Sequence, residues 1–211
     1  MSHLMIEATF ETLYMVTGST LFSVILGFIP AIILTLTAKD GLKPNPTIYS
    51  IFDVLVNIFR SFPFIILMIL VTPLTRSIVG KAIGTTAALV PLTTSAIPFV
   101  ARVFESALRS VDPGLIEAAR SFGASDRQIM LRVYLKESIP SIISGITLTF
   151  ISLIGYSAIG GAIGAGGLGD VAIRKGYQGY NFSYLLITSI ILIVIVQIVQ
   201  SIGNYLYKKL S

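Results

Sequence analysis

Four stretches of this chain carry no charged side chain, and each is long enough to cross a lipid bilayer. They lie between Glu11 and Lys39, Lys81 and Arg102, Glu137 and Asp170, and Lys175 and Lys208. A spanning helix needs about 20 mostly apolar residues. Lipid gives the backbone no hydrogen-bond partner, so runs of this kind cross as helices. The composition agrees: 12% of residues are charged and mean hydropathy is +0.87, against about 25% charged in a soluble domain.

A fifth candidate, Ile48 to Val71, contains Asp53 and Arg60. Sixteen of its residues are Leu, Ile, Val or Phe. At about −0.3 to −0.6 kcal/mol each they contribute roughly −5 to −10 kcal/mol. Two central charges cost about 5 to 7 kcal/mol, and Asp53 lies toward one end, where the cost is smaller. Insertion wins. The expectation is an all-α integral membrane helical bundle, one domain over residues 1–211, with five transmembrane helices at about 12–37, 48–71, 82–101, 138–160 and 183–207.

Five spans put the termini on opposite sides. One side receives Lys39, Lys43, Arg102, Arg109, Arg120, Arg127, Arg132, Lys136, Lys208 and Lys209; the other receives Arg76, Lys81, Arg174 and Lys175. Cationic loops stay in the cytoplasm, so the N-terminus is expected outside and the C-terminus inside. The net charge of +5 then marks cytoplasmic loops facing anionic lipid. No nucleic-acid partner is expected, because no basic cluster is interleaved with aromatics. There is no Cys, and the single His is His3, so thiol chemistry is excluded and no metal site is expected. Met1 to Glu11 contains no Lys or Arg, so no basic region of a signal peptide is expected.

The third span carries Pro91 and Pro98. Each removes a backbone donor and clashes with the preceding turn, so a kink or a break is expected. Either a structural kink or a helix lining a pathway fits.

The polar segment 111–128 reads as two short helices in a cytoplasmic loop. Asp112 is a good N-cap and Pro113 suits the first helical position. Leu115, Ala119 and Phe122 share one face and are expected to pack on the protein or the bilayer, which leaves Glu117 and Arg120 outside. Gly123 follows where a residue of positive φ ends a helix. Ser125 and Gln128 then form a capping box. A docking helix for another protein and an amphipathic helix on lipid fit equally well on these grounds.

The spacing "EAA", three residues, then glycine resembles the EAA loop of ABC importer permeases, with Glu117, Ala118, Ala119 and Gly123 at the motif positions. The pattern usually ends in I-x-L-P; here Val133-Tyr134-Leu135-Lys136 stands there, with lysine in place of proline. "RSFPFIILMILVTPLTRSIVGKAIGTT", "VPLTTSAIPFVARVFESAL", "LIGYSAIGGAIGAGGLGD" and "GYQGYN" look like the methionine-uptake branch of these permeases. The resemblance implies a permease subunit, not an enzyme, in a bacterial cytoplasmic membrane. It implies a homodimer working with two cytoplasmic ATPase subunits, which bind ATP and Mg, and an extracytoplasmic methionine-binding lipoprotein. Residues 111–128 would hold the coupling helix that docks in the ATPase. No cofactor is expected in this chain itself.

"GAGGLG", Gly164 to Gly169, satisfies G-x-G-x-x-G. It ends a membrane span rather than a strand, so a dinucleotide site is excluded. Gly160 and Gly164 form G-x-x-x-G, which lets helices approach closely. Helix packing is one reading. The other is a gate, with Tyr156, Ser157, Gly160, Gly161 and Gly164 lining a substrate pathway. Asp53 and Arg60 are seven apart and share a helical face, where a structural pair is one expectation. A secondary transporter would need more: no second buried carboxylate and no buried His are expected.

Overall fold

The computed structural model describes residues 2–211, and every regular element among them is helical. The long helices are α1 (Ser2–Thr37), α5 (Thr85–Arg109), α9 (Ile139–Gly161) and α11 (Phe182–Leu210). All four are long and apolar enough to cross a membrane. Between them lie α2 (Pro46–Ser61), α3 (Phe64–Leu70), α4 (Thr72–Val79), α6 (Pro113–Ser121), α7 (Asp126–Ile129), α8 (Leu135–Glu137) and α10 (Gly167–Asp170). π-helical turns Met130–Tyr134 and Val171–Tyr177 follow α7 and α10.

Residues 48–71 do not form one straight helix. α2 and α3 meet at 102°, and together they pass the length and hydropathy test for a span. The cause is local. Pro63 pushes the residue before it out of the helical region, and Phe62 is extended at φ −69°, ψ 127°. α2 itself starts cleanly: Asn45 caps it by accepting from the Ile48 N–H at 3.1 Å, with Pro46 at the first position. Pro91 and Pro98 do not break α5, nor does Pro30 break α1; all three lie inside continuous helices.

α1 packs chiefly on α5, and α9 bridges α5, α1 and α11. Small residues set these contacts, as packing between lipid-immersed helices requires. A Cβ on Gly27 would meet the Ile97 carbonyl and Val100 at 2.8 Å, and one on Gly145 would meet Val103 at 2.6 Å. Gly203 of α11 abuts the Thr147 side chain of α9. Most buried hydroxyls are satisfied within their own helices, while Ser19 of α1 donates to the Leu89 carbonyl of α5. Thr12, Thr20, Thr35 and Thr149 each donate to the carbonyl four residues back, which avoids the penalty of an unpaired polar group in an apolar site.

Candidate functional site

Two ends of the bundle carry polar chemistry. At one end the chain leaves α5 at Arg109 and enters α6 after three residues. Asp112 caps α6, accepting from the Gly114 N–H at 2.8 Å, and Pro113 occupies the first turn. α6 ends at Ser121, and Gly123 takes φ +78°. The Gly123 N–H reaches the Arg120 carbonyl and the Ala124 N–H the Ala119 carbonyl. Ser125 and Gln128 close the capping box: the Ser125 N–H donates to Gln128 Oε1 at 2.8 Å and the Gln128 N–H to Ser125 Oγ at 3.4 Å.

No residue of α6 is buried. Glu117, Ala118, Arg120 and Gly123 are all exposed. Of the expected face, only Ala119 packs on the protein. Leu115 is exposed and Phe122 is 90% exposed, because Phe122 falls on the C-cap at φ −83°, ψ 8° and leaves the helical stripe. The side that packs is Ile116 and Ala119, against a core of Leu42, Leu108, Val111, Ile129, Met130 and Tyr134. Burial pushes the Tyr134 phenol above its ordinary pKa. The outward side of α6 is therefore a slim, capped helix with Glu117, Ala118 and Arg120 facing away from the bundle, and Phe122 projecting just beyond it.

The other end is built from glycine. Gly164, Gly166 and Gly167 have φ of +90°, +87° and +78°. The Gly84 N–H donates to the Gly164 carbonyl, joining the loop before α5 to the loop after α9. α1 clasps the same loop. Glu11 Oε2 accepts from the Gly167 N–H at 2.7 Å and Thr12 Oγ1 from the Leu168 N–H at 2.9 Å. Ser157, Gly160 and Gly161 are buried, while Tyr156 and Gly164 are half-buried. The Tyr156 ring stacks on Phe64 of α3, with centroids 4.9 Å apart. Gly164 lies beyond the end of α9, so Gly160 and Gly164 do not share a helix face. The close approach is made by Gly161, which rests on the Gly169–Asp170 backbone.

Two further expectations need correction. Asp53 does not pair with Arg60, which is exposed; it pairs with Arg102 of α5 at 2.6 Å. Nor is Asp53 the sole carboxylate inside. Glu105 is 3% exposed and Asp170 5% exposed. Glu105 pairs with Arg102 at 2.8 Å and Arg109 at 3.5 Å, and Asp170 pairs with Arg174. Neither lies in the middle of an uncharged run. The arginines spaced i,i+4 from both residues were the available signal.

The chain is thus a bundle of lipid-length helices that presents a capped, exposed helix at one end. The chain belongs to the family of binding-protein-dependent transport system inner membrane components, whose pattern matches residues 23–211. It is 48% identical over 210 residues to a probable D-methionine transport system permease protein, MetI, of Vibrio cholerae, covering 100% of this chain and 93% of that one. It is 47% identical over 198 residues to the methionine import system permease protein MetP of Bacillus subtilis, covering 94% and 89%. Among solved structures, the native crystal form of the MetNI methionine ABC transporter, described as inward facing, superposes with a TM-score of 0.97. That chain is 41% identical, with 100% of this chain and 98% of that chain covered. An amino acid ABC transporter at 22% identity and TM-score 0.81 shares the fold.

Proposed function

We propose that this chain is the membrane-spanning permease subunit of an ATP-driven importer that carries methionine across the bacterial cytoplasmic membrane. The exposed, doubly capped α6 carries the reading. Its packed side is fixed to the ends of α1 and α5, and its outer side offers Glu117, Ala118 and Arg120 to a partner. The small Ala118 allows close approach. A helix pinned in this way transmits a push; a helix lying on lipid needs no such anchoring. The similarity to methionine permeases supports the cargo.

In this reading the bent α2–α3 pair counts as one span, giving five, with the N-terminus outside and the C-terminus in the cytoplasm by the excess of Lys and Arg on the α6 side. The whole chain forms one permease domain and works as a homodimer. Two ATPase subunits bind ATP and Mg and receive Glu117, Ala118, Ala119 and Gly123. A binding lipoprotein delivers methionine at the glycine end. Closure of the ATPases draws the two α6 helices together and opens the bundle outward; hydrolysis resets it. Tyr156, Ser157, Gly160, Gly161 and Gly164 belong to the wall of the pathway. Three left-handed glycines beside that wall support a gate there, because such backbone rearranges without moving side chains.

Purification from native membranes in mild detergent tests the reading. A stoichiometric ATPase should come along, and proteoliposomes holding the complex and its binding protein should take up methionine. A chain that purifies alone, or vesicles that hydrolyse ATP and import no methionine, would overturn it.

A further inference from the structure

Five charged side chains form an unbroken string across three elements at the α6 end. Asp40, in the loop after α1, accepts from Arg109 at 2.9 Å. Arg109 meets Glu105 Oε1 at 3.5 Å, and Glu105 Oε2 accepts from Arg102 at 2.8 Å. Arg102 reaches Asp53 of α2 at 2.6 Å and Asn57 at 3.0 Å. Tyr49, also on α2, donates to Glu105 Oε1 at 3.2 Å. Glu105 is the one member buried throughout, and it is the only group that joins the Asp40–Arg109 pair to the Arg102–Asp53 pair.

Little else holds α2. Its single fully buried side chain is Val56, which packs with Leu34 and Ala101, flanked by Tyr49 and Phe52. α6 has no comparable difficulty: it continues from α5 through three residues and rests on Leu108 and Val111. A displacement of α6 therefore reaches α5 directly. It reaches α2, and through the bend at Pro63 the stacked Phe64–Tyr156 contact, across the string centred on Glu105 and through the Leu42 loop on which α6 packs.

We propose that Glu105 is a positioning residue of the import cycle, the bridge that makes α2 move with α5 when α6 is displaced. The inference rests on the importer reading above.

The charges make it testable. Three carboxylates and two guanidiniums leave the string with one net negative charge. Glu105→Gln removes it, and each arginine keeps one carboxylate, so no unpaired charge is left buried. Asp53→Asn is the second variant; it cuts the string at its partly exposed α2 end and leaves Glu105 with both arginines. The complete transporter in proteoliposomes, with ATPase and binding protein, supplies two readings. The first is methionine taken up per ATP hydrolysed. Both variants should assemble and hydrolyse ATP while this ratio falls about fivefold, the size expected when one member of a coupling network is removed. The double variant should be no worse than either alone, as residues acting in one string are not additive, and Glu105→Asp should recover part of the loss. Uptake and hydrolysis falling in proportion, or an unchanged ratio, would overturn the proposal. The second reading needs no cargo and holds even if methionine is the wrong solute. Hydrogen exchange in α2 should respond to ATP together with α5 in the wild type and lose that response in both variants; an α2 response that survives both substitutions would also overturn it.

Discussion

Gly123 stands at φ +78°, and no atom lies within 4 Å of where a Cβ would project. Any substitution there pays in backbone conformation and not in packing, which gives a graded series. Left-handed geometry costs an ordinary L-residue about 1–2 kcal/mol. Replacing glycine by alanine also removes unfolded-chain entropy, which returns about 0.4–1 kcal/mol. Gly123→Ala should therefore weaken the turn by about 1 kcal/mol. Asn tolerates this region, so Gly123→Asn should stay near wild type, and the β-branched Gly123→Val should be worst. The turn sets the angle at which α6 leaves for α7, so the loss should appear as weaker ATPase binding, about fivefold for Ala. Titrating detergent-solubilised permease variants against the purified ATPase reads this directly. If Asn and Ala weaken binding equally, or if loss follows side-chain volume with no regard to left-handed tolerance, glycine is needed for contact with the partner and the conformational argument fails.

Other substitutions separate the remaining contacts. Gly203→Leu should drive α11 off Thr147 and destabilise the chain by about 1–3 kcal/mol, an overpacking cost, seen as a lowered thermal midpoint in detergent; an unchanged midpoint would mean that α11 does not depend on this contact. Phe122→Asp should leave that midpoint unchanged, since the ring is exposed, while pull-down of the ATPase drops; retained pull-down would remove Phe122 from the docking surface. Glu11→Gln replaces a charge-assisted hydrogen bond to the Gly167 N–H by a neutral one, about 1 kcal/mol weaker. In this cysteine-free chain, Ala165→Cys should then react several times faster with a thiol reagent in the Glu11→Gln background, and equal rates would refute a latch at Glu11.

What could be read from the sequence was what depends on neighbours in the chain. The Asp112–Pro113 start, the Gly123 turn and the Ser125–Gln128 box each need only three or four consecutive residues, and each forms as its spacing implies. The long apolar helices follow from run length alone. Pro63 was equally local: weighing residues 48–71 by summed hydropathy hid a backbone rule that a proline imposes whatever its surroundings. The pairing of Asp53 with Arg102 was out of reach for a different reason. It depends on α2 lying against α5, across 49 residues, and periodicity within either helix cannot supply it. The clasp of Glu11 and Thr12 on the glycine loop spans 156 residues. At α6 the face was misjudged by one step, because Phe122 obeys helical spacing in number while the helix has already ended.

The two ends of the bundle differ in what it takes to move them. At the α6 end, ion pairs, caps and an apolar core fix α1, α5 and the polar helices to one another. At the glycine end, the loop is held by the Glu11 and Thr12 bonds to α1, by the Gly84 bond to the loop before α5, and by Ala165 and Leu168, which are buried in apolar cores. One charge-assisted bond and two neutral ones amount to about 3–6 kcal/mol net. A population shift between two states needs about 5.5 kcal/mol to run from 1:99 to 99:1. The hydrogen bonds of the glycine end are thus of the size such a shift requires, and under the importer reading proposed above the α6 end is the one that would deliver that energy.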